Sequence, residues 1–210
     1  MTNLITDLNW RYATKMFDKT KKVSETDLAE IVEAFRLTSS SFGMQPWKMI
    51  LVENEEFKNS LVEHSFGQSQ ISDCSHLLVL CRVANIDDNY ISKYLEKIAE
   101  TRCIPVENLE GLQHTIKGFL ARHTEEQVKK WASEQVYIAL GGLLSFLASA
   151  HIDSCTIGGF NPAKYDEILG LGEMGLASVV VLPIGYRSQD DKYASLAKVR
   201  FEKEDVFMKI

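Results

Sequence analysis

The chain lacks an excess of positive charge: 23 Lys and Arg stand against 29 Asp and Glu, a net charge of −6 over 210 residues. No broad basic face is available for a polyanion, which argues against nucleic acid as a partner. Cysteine is scarce, and Cys74, Cys81, Cys103 and Cys155 form no Cys-x-x-Cys pair. Such thiols read as buried or inert, in a reducing, cytoplasmic compartment. The five histidines (His64, His76, His114, His123, His151) lack the spacing of a metal site. No Ser/His/Asp or Cys/His constellation stands out. Gly170 to Gly175 spells Gly-x-Gly-x-x-Gly, but it leads into the strand read at 176–185 instead of following a strand and opening a helix, so nothing suggests a Rossmann nucleotide site. Repeats and low-complexity tracts are absent too. The opening Met-Thr-Asn-Leu-Ile-Thr-Asp has neither a basic region nor an apolar run, and no signal peptide is expected. Residues 135–152 carry no Asp, Glu, Lys or Arg, a length that meets a loose transmembrane test. Gln135, Tyr137, Gly141, Gly142, Ser145, Ser149 and His151 interrupt that stretch, so a helix buried in a soluble core fits it better than a membrane span.

What is present describes one globular domain over residues 1–210. Apolar residues make up 45% and charged residues 25%, a balance that suits a single substantial core. Ser24-Glu25-Thr26-Asp27 opens a helix whose apolar positions, Leu28, Ile31, Val32 and Phe35, recur at helical spacing. It ends near Thr38, where serines, Gly43 and Pro46 break the pattern. Residues 48–52, 77–83 and 176–185 read as strands, the second buried on both faces. Residues 87–100 and 106–122 read as helices separated by Pro105. Thr124-Glu125-Glu126-Gln127 is a capping box that opens a helix running to about Ala150, roughly 40 Å long. Beyond its first two turns that helix is apolar almost all round, so this chain or a partner must enclose it. Residues 154–157 suit a short strand and 162–169 a helix with Pro162 in its first turn. The tail, residues 201–210, alternates charges with Phe201, Val206, Phe207 and Ile210 and is expected to pack on something.

Two cation pairs stand at opposite ends of the chain, Arg11 with Lys15 and Lys198 with Arg200. Spacings of two and four residues can aim both members at one small anion, although each pair would also suit a solvated surface. Alternation along an extended segment would put Lys198 and Arg200 on one side, together with Leu196.

Five segments, in order over nearly the whole chain, carry a resemblance. Arg11-Tyr12-Ala13-Thr14-Lys15-Met16-Phe17 resembles the "R-x-S-x-K-x-F/Y" opening of the FMN-dependent nitroreductases. Ser39 to Trp47 resembles their "P-S-S-x-x-x-Q-P-W", Asp73 to His76 their "D-A-S-H", Ile157 to Phe160 their "I-E/G-G-F", and Lys198 to Arg200 their "K-x-R". The group most resembled is that of the oxygen-insensitive nitroreductases and dihydropteridine-reductase-like enzymes.

The resemblance implies an α+β fold, a mostly antiparallel sheet wrapped by helices, in an intertwined homodimer with two FMN sites at the interface. It implies that Arg11, Lys198 and Arg200 hold the FMN phosphate and that Lys15 faces the pyrimidine edge, where reduced flavin carries negative charge. Tyr12 and Ala13 belong to the same segment. Ala13 stands where the family has serine, at a loss on the order of 1 kcal/mol for one hydrogen bond. Ser39, Ser40 and Ser41 would line the ring and ribityl chain from the partner subunit, with Gly43 where some members carry Asn. Gly67-Gln68-Ser69-Gln70 matches a region that holds Asn and Lys in relatives, with Gly67 in place of the Asn and Gln70 of the Lys; Gln68 and Gln70 are the candidates there, since an amide can still donate, without charge. Backbone N–H groups of Ile157, Gly158 and Gly159 would contact flavin N5 and O4. Phe42 and Phe119 are candidates to cover the substrate side, and ordinary packing suits both equally. Trp47 reads as core.

The activity implied is ping-pong hydride transfer from NADH or NADPH to nitroaromatic, quinone or pteridine-like acceptors, with no side-chain acid or base and no metal. Other flavin reactions on the same scaffold, such as enoate reduction or dehalogenation, or a non-catalytic flavin-binding dimer, are the alternatives.

Overall fold

The computed structural model describes residues 4–210; residues 1–3, which open the segment read as leaderless, lie outside the described residues. The centre is a four-stranded antiparallel sheet in the order β1-β2-β4-β3, built from β1 (Trp47–Val52), β2 (His76–Val83), β3 (Asp153–Ser154) and β4 (Leu176–Gly185). The described residues hold nine α-helices: α1 (Leu4–Trp10), α2 (Glu25–Arg36), α3 (Glu55–Val62), α4 (Gln70–Asp73), α5 (Asp88–Arg102), α6 (Glu110–Ala121), α7 (Glu125–Ser149), α8 (Pro162–Ile168) and, in the exposed tail, α9 (Lys203–Val206). The fold is therefore α+β. Among the described residues no helix is long and apolar enough to cross a membrane.

The unbroken apolar run of β2 has a simple cause. Successive side chains point to opposite faces, and both faces are covered. Leu77, Val79 and Cys81 join a core with Leu61, Ile71, Tyr165 and Val181. Leu78 and Leu80 join a second core with Ile31, Phe35, Val136, Leu143 and Leu147 from α2 and α7. A bulge between Leu80 and Cys81 shifts the β2–β4 register by one residue. A third, smaller core of Met44, Ile91, Leu95, Ile98, Leu109 and Ile116 binds α5 and α6 to each other and to the turn before β1. Trp47 is only half-buried and lies tilted against Phe35, 5.7 Å between ring centroids.

The capping box of α7 is formed in both directions between Thr124 and Gln127. One expectation needs correction: the short strand is residues 153–154 rather than 154–157, because Ile157 bridges Val181 separately. Of the two apolar surfaces expected to be covered by this chain or a partner, this chain encloses only one side of α7, leaving Tyr137, Ile138, Gly141 and Gly142 exposed on the other, and it leaves the tail open, with Phe201 82% exposed and Phe207 70%. Cys74, Cys81 and Cys155 are buried, and burial pushes the thiols of Cys74 and Cys81 up to about 12, whereas Cys103 is exposed at the end of α5.

Candidate cofactor site

Residues 11–17 leave α1 as an extended segment and join the sheet region at two points. Ala13 pairs in parallel with Ser154, and Phe17 pairs antiparallel with Arg187. Thr14 N–H donates to the Ser154 carbonyl at 3.2 Å. Two buried carboxylates then fix the segment. Asp153 accepts Arg187 N–H at 2.8 Å and both Nε (2.8 Å) and Nη2 (2.6 Å) of its guanidinium. That guanidinium lies over the rings of Trp10 (4.2 Å) and Tyr12 (4.6 Å), so a charge paired to the sheet also clamps the N-terminal segment.

Asp191 does the same from the C-terminal side. Its Oδ2 accepts Tyr12 O–H at 2.7 Å, Lys15 N–H at 2.8 Å and Met16 N–H at 3.1 Å, while Oδ1 accepts Tyr193 N–H at 3.0 Å. Burial alone would raise the pKa of this carboxyl. The Tyr12 hydroxyl and the backbone donors outweigh burial and hold it below the usual carboxylate range. The Tyr12 phenol is pushed well up, first by burial and then by its bond to Asp191.

With both ends of the chain held together, the terminal cations meet. A cavity of about 420 Å³ is lined by residues 9–13, Lys15, residues 193–194 and residues 196–200, Lys198 and Arg200 among them. Lys198 Nζ donates to the Arg11 carbonyl. The Arg11 guanidinium is depressed from its ordinary value by burial and then by Arg200. Lys198 is depressed by burial, then by Arg11 and Arg200. Among the described residues neither these three cations nor Lys15 takes part in an ion pair. Asp191, the nearby acid, has its oxygens committed to other donors. Arg11 Nε and Thr156 Oγ1 are buried without a hydrogen-bond partner. Concentrated, partly desolvated, unpaired positive charge with a spare buried donor suits a small dianion such as a phosphate monoester.

The other predicted residues fall into two further groups, neither of which lines that cavity. Ile157, Gly158 and Gly159 follow β3 beyond Cys155, a thiol pushed up by burial against the pull of Lys15 and Arg11, and Ile157 bridges Val181. Gln68 Nε2 donates to the carbonyls of Ser65 (3.0 Å) and Gly159 (3.1 Å), so this amide braces the Gly-Gly turn. The Gln70 side chain is buried in α4. The exposed ring of Phe66 covers Gly159, 3.6 Å from where a Cβ would stand.

The third group is the turn Ser39 to Gln45. Ser41 N–H donates to Gln135 Oε1 on α7 at 2.8 Å, and Ser40 Oγ accepts Gln45 N–H at 2.9 Å. Phe42 and Phe119 meet edge to face at 5.4 Å. Sequence reasoning missed Asp153, Arg187 and Asp191, whose partners lie as far as 179 residues away. The Asp190-Asp191 doublet beside a turn was the only local signal.

Residues 8–186 match the model of the Nitroreductase family. The major NAD(P)H-flavin oxidoreductase of Aliivibrio fischeri is 36% identical over 211 residues, covering 97% of this chain and 96% of that protein. YfkO of Bacillus subtilis, a candidate NAD(P)H nitroreductase, is 36% identical over 217 residues, covering 98% and 96%. A candidate nitroreductase of Exiguobacterium sibiricum solved in complex with FMN shares the fold, with a TM-score of 0.83 over 100% of this chain and 98% of that one at 20% identity. The antiparallel sheet, the converging termini and these likenesses agree, and the chain belongs to the nitroreductase family.

Proposed function

We propose that residues 1–210 form one FMN-binding domain of a dimeric, cytoplasmic NAD(P)H oxidoreductase. The observation that carries this reading is the cavity between the chain ends, where Arg11, Lys198 and Arg200 converge without a counter-charge. These three cations would hold the FMN phosphate, with Arg11 Nε supplying a donor that otherwise has no partner. Lys15 lines the same cavity and is aimed by the bond from its own N–H to Asp191. There it would offset negative charge at the pyrimidine edge of the reduced ring. Tyr12 and Ala13 complete that wall; the backbone N–H groups of Gly158 and Gly159 would face the ring edge, steadied by the bond of Gln68 to the Gly159 carbonyl, whereas the Ile157 N–H is spent on the Val181 carbonyl at 2.9 Å and anchors the segment. Bound FMN supplies the redox chemistry, taking a hydride from NADH or NADPH in one half-reaction and reducing a nitroaromatic, quinone or pteridine-like acceptor in the next. The protein's own work is to bind, orient and set charge, and no side chain is needed to move a proton.

The remaining candidates, Ser39, Ser40, Ser41, Gly43, Phe42 and Phe119, sit away from the cavity, which supports their serving the site of a second copy. A dimer also supplies a place for surfaces that this chain leaves open. β1 is an edge strand flanked by apolar grooves, one along Val32, Phe35, Trp47, Met49 and Leu51. The exposed tail is apolar and extended at Phe207. Together with the bare face of α7, these features account for an intertwined pair better than for a monomer.

The test is the visible spectrum. Purified protein, reconstituted with FMN if colourless, should be yellow, bleach with NADH or NADPH without oxygen, and recolour on addition of a nitroaromatic or quinone. A colourless protein that takes up no FMN would refute the assignment.

A further inference from the structure

The turn before β1 is held in an uncommon backbone state. Phe42, Gly43 and Gln45 have φ of 57°, 75° and 48°, three left-handed residues within four positions. For residues with a side chain this region is costly, and it persists only where the surroundings impose it. Two phenols from α5 impose it here. Tyr94 O–H donates to the Phe42 carbonyl at 2.5 Å, and Tyr90 O–H donates to the carbonyls of Met44 and Gln45, both at 2.9 Å. Gly43 completes the fit, since a Cβ there would stand 2.7 Å from the Tyr94 oxygen. Burial pushes the Tyr90 phenol up to about 12, so it remains a donor throughout the neutral range.

The turn fixes the Phe42 ring against Phe119 of α6, which in turn packs on Trp131 of α7 at 5.4 Å. α5 and α6 share a small core of their own, which this turn joins through Phe42 and Met44 and α7 joins through Trp131. We propose that Tyr90 and Tyr94 are positioning residues that set the selectivity of the acceptor pocket by holding the Phe42–Gln45 turn. The inference rests on the proposed function, in which Phe42 and Phe119 cover the acceptor side. With the hydroxyls gone, the left-handed residues relax, the Phe42 ring gains freedom, and discrimination by acceptor size weakens.

Two arms test this with Tyr90→Phe, Tyr94→Phe and the double variant, each of which removes only oxygen. In the first, amide hydrogen exchange of the purified protein is followed at Gly43, Met44 and Gln45. Exchange is expected to speed up tenfold or more in the double variant, and unchanged exchange would overturn the claim that the hydroxyls hold the turn. In the second, kcat/KM is compared for 1,4-benzoquinone and a bulky naphthoquinone. The ratio of the two is expected to shift at least fivefold, with FMN affinity altered less than threefold. Faster exchange with an unchanged ratio would show a merely structural role and overturn the inference alone. Wild-type protein that NADH and NADPH fail to reduce would sink the proposed function itself, and the exchange arm would still read the turn.

Discussion

Arg200→Ala separates a phosphate site from an accidental cluster of cations, because it should affect binding and stability differently. Arg200 is exposed, and its side chain donates only to the neighbouring Val199 carbonyl at 2.6 Å. It supports no packing that its removal would cost. It does depress both Arg11 and Lys198, so its loss relieves repulsion in the empty site. Solvent screening limits that relief to about 0–1 kcal/mol. The empty variant should therefore melt at the wild-type temperature or slightly above it. Binding should respond oppositely. A hydrogen bond to a charged group contributes about 1.5–3 kcal/mol, which raises the Kd for FMN by about tenfold to a hundredfold. Quenching of flavin fluorescence on titration of the ligand-free protein reads the Kd, and a thermal scan of the same samples reads the stability. Arg200→Lys should fall between the two, keeping the charge but losing the planar fork. Raising the salt should narrow the gap between wild type and the alanine variant. A Kd within twofold of wild type, or a fall of several degrees in the empty variant, would refute the reasoning.

Lys15→Ala should show the reverse division of roles: anaerobic reduction of the flavin by NADH or NADPH slows more than FMN affinity falls, and equal losses in stopped-flow and titration would refute it. Asp191→Ala leaves four donors without their acceptor, several of them buried, and should cost about 3 kcal/mol in urea unfolding; a loss under about 1 kcal/mol would show that Asp191 is not a clamp. His76 lies 3.3 Å from Glu53, yet burial, its largest influence, holds its pKa below the ordinary imidazole value of about 6.5. The folded state then binds fewer protons than the unfolded chain in the window just below 6.5, so stability should rise with pH through that window and fall on acidification. His76→Gln should flatten that slope in denaturant midpoints measured from pH 7 to 5, and an unchanged slope would assign it elsewhere. Deleting residues 203–210 should shift the protein toward monomer in sedimentation velocity, and a wild-type profile would exclude the tail from the interface.

The elements legible in the sequence were those whose periodicity spans several turns or whose burial is complete. α2 and α7 announced themselves by apolar spacing and by caps that are present in the structure, at Ser24 and Thr124. β2 and β4 were legible as apolar runs because α helices cover both faces of the sheet. α1, α3 and α4 were not anticipated. They span seven, eight and four residues, too short for a period to emerge, although Asn54 accepting Phe57 N–H was a usable cap signal for α3. Trp47 illustrates a different limit. Its apolar neighbours suggested core, but it lies at the sheet edge, and the order of strands decides its exposure.

The site divides along the same physical line. Arg11, Lys15, Lys198 and Arg200 could be picked out because unpaired cations beside small or apolar neighbours are conspicuous in an acidic chain. The groups that bring them together could not. Asp153 and Asp191 look like any surface aspartate until Arg187, Tyr12 and the N–H groups of Lys15 and Met16 are placed around them by the Ala13–Ser154 and Phe17–Arg187 bridges. A carboxylate such as Asp191, which accepts three hydrogen bonds across more than 170 residues, acts as a joint between the chain ends. Its strength comes from donors with no competing partner, and this is why the cavity forms between the ends rather than within either. The cations would supply the charge for the proposed phosphate site, but the two buried aspartates determine that the charges share one cavity.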